Sequence, residues 1–79
     1  MDVVIYSKNN CVFCNKAKMR LKKYNPKINM LDHDYTSEEF FKKFPNAKTF
    51  PQIIIDDETI GGYYELEKWL AFKSPNEDF

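Results

Sequence analysis

The stretch Ser7-Lys8-Asn9-Asn10-Cys11-Val12-Phe13-Cys14-Asn15-Lys16-Ala17-Lys18 decides how this chain is read, because it holds both cysteines of the protein. The apolar run Val3-Val4-Ile5-Tyr6 ahead of it reads as a buried strand. Asn9 and Asn10 are turn and helix-capping residue types. From Cys11 to Tyr24 there is no Pro or Gly, and Lys, Leu, Met and Ala are frequent, so a helix is predicted. The cysteines then sit on the first turn of a helix that leaves the end of a strand, with Cys14 within disulfide reach of Cys11. Unpaired N–H groups and a partial positive charge at a helix start favour a thiolate, the nucleophilic form of cysteine.

Working outward, Asp2 to Tyr6 is the first strand, and Phe13 or Cys14, Ala17, Leu21 and Tyr24 form the buried stripe of the first helix. Asn25-Pro26 ends that helix, and Ile28 to Leu31 is a second strand. Strand, helix and strand in so short a span argue for a right-handed parallel crossover. Thr36-Ser37-Glu38-Glu39 has the form of a capping box, opening a helix to about Phe44 that buries Phe40, Phe41 and Phe44. Gln52 to Ile55 is a third strand with Ile53, Ile54 and Ile55 in the core, and Asp56-Asp57 turns the chain into a fourth at Glu58 to Ile60. Gly61-Gly62 releases it into a last helix, about Tyr64 to Phe72, whose Leu66, Trp69 and Leu70 face the sheet.

This order, β-α-β-α-β-β-α, predicts an α/β protein with a four-stranded mixed sheet and helices on both faces. That is the minimal thioredoxin-like fold, and a C-x-x-C just after the first strand suits it. One domain is expected over residues 1–73, followed by a frayed tail at 74–79.

Net charge is zero, which gives no global pull toward nucleic acid or a membrane. From Lys8 to Lys27, however, there are seven basic residues and no acidic one. A solvated helix face accounts for this run, and so does an electropositive collar that favours a Cys11 thiolate and draws anionic partners. The opening residues lack the apolar core of a signal peptide, and no run is long enough to span a bilayer, so a cytoplasmic protein is expected. His33 with the cysteine pair offers three zinc ligands where a structural site wants four, so no metal is expected. Trp69 and the phenylalanines are core by spacing, with no basic-aromatic interleaving of the kind that binds nucleic acid.

Three segments together resemble the glutaredoxin family. Tyr6-Ser7-Lys8 leading into Cys11-Val12-Phe13-Cys14 is similar to the family's Lys-x-x-Cys-Pro-Tyr-Cys. Thr49-Phe50-Pro51-Gln52-Ile53 resembles its Thr-Val-Pro-x-Ile, and Ile60-Gly61-Gly62-Tyr63-Tyr64-Glu65-Leu66 resembles its Gly-Gly-x-x-Asp-Leu. They span Tyr6 to Leu66 in the family's order and spacing. The chain departs from the pattern at Val12 for proline, Phe13 for tyrosine, and the bulky Tyr63-Tyr64 pair.

The resemblance implies a dithiol oxidoreductase that takes part in electron transport, with Cys11 as nucleophile and Cys14 as resolving thiol. It implies a cis bond at Pro51 lying against the cysteines, with the Phe50 backbone left to pair with an extended thiol. Lys8 is a candidate for a thiol peptide's carboxylate, though an ordinary surface lysine reads the same. The N–H groups of Tyr63 and Tyr64 form an anion site at a helix start, and Glu65 is placed to meet an ammonium. In the family this corner grips the γ-glutamyl end of glutathione; a tight turn with a solvated glutamate is the plainer reading. Glutathione, the expected reductant, would thus meet Lys8, Phe13, Thr49, Phe50, Pro51, Gly62, Tyr63, Tyr64 and Glu65. The expected partners are glutathione and disulfide-containing proteins. Ribonucleotide reductase, and with it deoxyribonucleotide synthesis, enters by resemblance alone. A monomer is expected. The alternatives are a redoxin reduced by thioredoxin reductase, whose members also carry Val between the cysteines, and a dimer that binds an iron–sulfur cluster through Cys11 and glutathione.

Overall fold

A single strand, β1 (Val3–Ser7), organises the chain by pairing on both edges. Its alternation sends Val3, Ile5 and Ser7 to one face and leaves Val4 and Tyr6 half-buried on the other. It runs parallel to β2 (Lys27–Met30), with Ile5 opposite Ile28, and antiparallel to β3 (Gln52–Ile55), with Ile5 opposite Ile53. A hairpin adds β4 (Glu58–Gly61), so the sheet order is β2-β1-β3-β4. The computed structural model describes residues 1–73; the expected tail at 74–79 lies outside the described residues.

Three helices cover the sheet: α1 (Val12–Arg20), α2 (Ser37–Lys43) and α3 (Tyr63–Lys73). The element order is the expected one, and the fold is thioredoxin-like. On one face, Ala17 and Leu21 after α1 and Leu66 and Leu70 of α3 pack on Val3, Ile5, Ile53 and Ile55. On the other, Phe40 and Phe44 pack with Tyr35, against Tyr6, Phe50 and Ile54. Burial of aliphatic side chains of this size contributes about 1.5–3 kcal/mol each.

Several boundaries move. The first helix does not reach Tyr24: it ends at Arg20, and Lys22–Tyr24 form a 3₁₀ turn closed by Asn25 in the left-handed region at φ 54°. Pro26 next to it cannot continue a helix. The expected cap at Asn9 and Asn10 is replaced by Cys11 itself, while Asn10 takes φ 55° in the turn before it. The second helix has its capping box, with the Glu39 N–H donating to Thr36 Oγ1 and the Thr36 N–H to Glu39 Oε1. Phe41 is not buried but 52% exposed, because Phe40 and Phe44, four residues apart, share the inward face and Phe41 lies about 100° round from Phe40. Ile54 is half-buried and Trp69 is partly buried at the margin of the core. Asp56 and Asp57 both take positive φ, the requirement of a two-residue hairpin turn, which aspartate tolerates.

Tyr35 pins the end of β1. Its hydroxyl donates to the Ser7 carbonyl at 2.6 Å, and the Leu31 N–H donates to the same oxygen at 2.9 Å. Burial, more than the nearby Tyr6, Asp32 and Asp34, pushes the Tyr35 phenol up to about 12.

Two outcomes follow from this packing. Phe40→Ala is expected to lower stability by about 3–5 kcal/mol in urea denaturation, as a core phenylalanine does, and Phe41→Ala by no more than about 1 kcal/mol, the worth of its ring contact with Phe40. Tyr35 stays neutral in the fold above the pH at which it ionises in the unfolded chain, about 10. Its stabilising contribution is therefore complete below pH of about 10 and lost as pH rises through 12. Tyr35→Phe should flatten the alkaline fall in stability over that range.

Candidate active site

The site forms where β1 ends and α1 begins. Ser7 is fully buried, and Lys8, Asn9 and Asn10 carry the chain out to solvent. Cys11 is in extended conformation at the cap, and its Sγ accepts the backbone N–H of Cys14 at 3.2 Å. The capping oxygen of the usual helix start is here a sulfur. Cys11 and Cys14 are joined in a disulfide, with Cα atoms 5.2 Å apart. Cys11 is half-buried and Cys14 is fully buried, so an incoming group can reach the first sulfur and not the second. Between them Val12 and Phe13 face outward, 67% and 38% exposed, so the inward position of the pair's turn belongs to Cys14 and not to Phe13.

The second segment lies directly against the sulfur. The Phe50–Pro51 peptide bond is cis, as the resemblance implies. Cys11 Sγ sits 3.9 Å from the Phe50 carbonyl oxygen, an approach without a shared hydrogen while the disulfide is closed. Gln52 Nε2 donates to the Thr49 carbonyl at 3.0 Å and holds the turn before Pro51.

The third segment meets the second. Gly62 is buried ahead of α3, its N–H donating to Glu65 Oε1 at 2.9 Å and its carbonyl accepting from Leu66. One carboxylate oxygen of Glu65, Oε1, thus helps to close the helix start. Position 62 has little room for a side chain. A Cβ at Gly62 would lie 3.0 Å from Thr49 Oγ1 and 3.2 Å from Glu65 Oε1, so it would press on the protein itself before reaching a ligand. Gly61 has φ +117°, which side-chain-bearing residues rarely adopt. A groove of about 470 Å³ opens here, lined by Thr49, Gly62 and Glu65 and extending to Lys43 and Lys48.

Tyr63 and Tyr64 place their rings 5.6 and 5.8 Å from Phe13, which links the third segment to the first. Burial, and then the charge of Glu67, raise the Tyr63 phenol above its ordinary value. Of the basic run, Lys8 Nζ lies 5.2 Å over the Phe50 ring and Lys16 Nζ 5.3 Å over Phe13. Lys18 reaches Met30 Sδ and Arg20 pairs with Glu67 at 2.9 Å, whereas Lys8 and Lys16 lie over rings of the site segments. The Phe50 ring stacks on Phe40 at 4.5 Å, a contact beyond the backbone role expected of this residue. The signal was its ring in a slot where the family pattern has valine.

The comparisons bear on this arrangement. The glutaredoxin family model matches residues 3–60. The chain belongs to the glutaredoxin family. It is 36% identical over 73 residues to glutaredoxin 1 of Rickettsia conorii, covering 84% of this chain and 72% of that one. It is 28% identical over 79 residues to glutaredoxin 1 of Escherichia coli K12, covering 89% and 93%. Among solved structures it resembles glutaredoxin 1 from Francisella tularensis, in complex with cacodylate, with TM-score 0.76, 32% identity and coverage of 96% and 98%. Reduced Escherichia coli glutaredoxin gives TM-score 0.76 at 26% identity, with both chains covered in full. Thiol–disulfide oxidoreductase activity is what a glutaredoxin with this cysteine pair carries out. Among the described residues no helix is long and apolar enough to cross a membrane, and no group of three or more His, Cys, Asp or Glu is placed to hold a metal ion.

Gly62→Ala is expected to lower stability by about 1–3 kcal/mol, the range of overpacking. Thr49→Ala in the same chain should recover part of that loss, because it removes the nearest obstacle. Strictly additive losses in urea denaturation would show that Thr49 is not what the Cβ meets.

Proposed function

We propose that this glutaredoxin is a glutathione-dependent thiol–disulfide oxidoreductase that reduces protein disulfides and glutathione mixed disulfides. The observation that carries the reading is the inequality of the two sulfurs. Cys11 is within reach of solvent and accepts a helix-start N–H, whereas Cys14 is sealed beneath it. A hydrogen bond to the charged form and the helix dipole both lower a thiol's pKa.

In the reaction, the Cys11 thiolate attacks one sulfur of a substrate disulfide and expels the other as a thiolate, leaving a mixed disulfide. Cys14 loses its proton and attacks Cys11 Sγ, expelling the second substrate thiolate and closing the Cys11–Cys14 disulfide. Two electrons have passed to the substrate. One glutathione thiolate then attacks Cys11 Sγ and frees Cys14. A second attacks the glutathione sulfur of the resulting mixed disulfide, so that glutathione disulfide leaves and Cys11 Sγ is released as a thiolate.

Glutathione bound across the three segments would have Lys8 at one carboxylate, and the first-turn N–H groups of Tyr63 and Tyr64 at the γ-glutamyl end. Phe13, Thr49, Phe50, Pro51 and Gly62 would form the surface between, with Glu65 supporting the corner through the Gly62 N–H. We assign the protein to the cytoplasm as a monomer, with ribonucleotide reductase among its substrates, on the family resemblance.

The deciding experiment couples turnover to glutathione with glutathione reductase, and in parallel to thioredoxin reductase. Turnover in the first assay is expected. Turnover confined to the second would replace glutathione as the electron source, and an iron–sulfur chromophore in anaerobically purified protein without turnover would replace the enzyme reading. Cys11→Ser should abolish reduction of both substrate classes. Cys14→Ser should retain reduction of glutathione mixed disulfides, which needs one thiol, and lose most reduction of protein disulfides. Equal losses in both variants would sink the assignment of roles.

A further inference from the structure

We propose that Phe50 is a positioning residue whose ring seats the Lys8 ammonium beside Cys11, so that the charge an anionic thiol substrate meets at the sulfur is set from beneath by α2. The proposal deepens the reading of Cys11 as the reacting sulfur and rests on it. Three groups lie in a stack. Phe40 of α2 is 2% exposed and fixed in the core. The Phe50 ring lies on it at 4.5 Å and 15° from parallel. Phe40 thus takes one face of that ring, and Lys8 Nζ lies over the ring at 5.2 Å.

The same residue approaches the sulfur through its backbone, with the Phe50 carbonyl 3.9 Å from Cys11 Sγ. One residue next to Pro51 therefore meets the ammonium with its ring and approaches the sulfur with its carbonyl. Lys8 needs such a seat. It is exposed, and among the described residues no carboxylate is paired with it. A free lysine would spread its charge over many rotamers, and holding it in one place loses entropy. The face of an aromatic ring offsets part of that loss, and it does so without neutralising the charge as a carboxylate would. Valine or leucine at position 50 could pack on Phe40 but would offer the ammonium no ring face.

The test uses reduced protein with Cys14→Ser, so that Cys11 is the one reacting thiol, at low ionic strength and fixed pH. The rate of alkylation by anionic iodoacetate is divided by the rate with neutral iodoacetamide. This ratio reports local positive charge and cancels changes in intrinsic thiol reactivity, and it needs no glutathione. Phe50→Leu is expected to lower the ratio roughly two- to five-fold, the size of an exposed cation–π contact. Phe50→Tyr, which keeps the ring face, should restore it. Lys8→Met should lower the ratio at least as far, and Phe50→Leu should then add nothing. If Phe50→Leu does not fold, Phe50→Met makes the same comparison with another ringless apolar side chain. In NMR spectra, the Lys8 Cε protons should show an upfield ring shift that is lost in the same variants.

An unchanged ratio in the ringless variants would overturn the proposal. So would an equal fall with and without Lys8, or Lys8 protons without a ring shift. Failure of the glutathione reading shows separately, as absence of turnover in the glutathione-reductase assay with the alkylation ratios intact.

Discussion

The hydrogen bond from the Cys14 backbone N–H to Cys11 Sγ is the constraint on which the site depends. It begins α1, and it fixes where the first sulfur stands. Helix starts usually take an oxygen from Ser, Thr, Asp or Asn for this purpose. Sulfur is a weaker acceptor when neutral or disulfide-bonded, and a much better one as a thiolate, because bonds to charged acceptors are roughly twice as strong. The cap thus strengthens when the disulfide opens. One sulfur both caps the helix and forms the disulfide.

That bond is useful because of what surrounds it. β1 is paired on both sides, so its end cannot drift, and Tyr35 and Leu31 both hold the Ser7 carbonyl. The two cores then have different tasks. The aliphatic one joins α1 and α3 to the sheet. The aromatic one reaches from Phe44 through Phe40 to Phe50 and ends at the surface beside the sulfur. Stacked rings are stiff and amphipathic, and they carry the rigidity of a core out to the surface.

Much of this was legible from the residues. Apolar runs in the strands, the Thr36–Glu39 box and the paired aspartates are local signals with local causes, and they placed β3, the start of α2 and the hairpin turn. The three separated segments pointed to one site through their resemblance to a family. What the residues did not show was relational. Nothing near Phe41 in sequence says which side of α2 faces the sheet, although the four-residue spacing of Phe40 and Phe44 favours those two. The end of α1 at Arg20 reflects a change from four-residue to three-residue hydrogen bonding in a segment whose composition does not change. The seats of Lys8 on Phe50 and of Tyr63 on Phe13 depend on elements far apart in the chain.

The hairpin turn has a practical meaning. Val3 pairs with Ile55, the Asp56 N–H donates to the Asp2 carbonyl, and the Asp2 N–H donates to Asp56 Oδ1. The start of the chain and the tip of the β3–β4 hairpin therefore lie side by side, at the far end of β1 from Cys11. Five residues of strand, at about 3.3 Å each, separate that end from the sulfur. A fluorophore, an affinity handle or a surface tether attached there would stand at the opposite end of β1 from the Cys11–Cys14 disulfide. The molecule has a back, and it is the natural place from which to hold it.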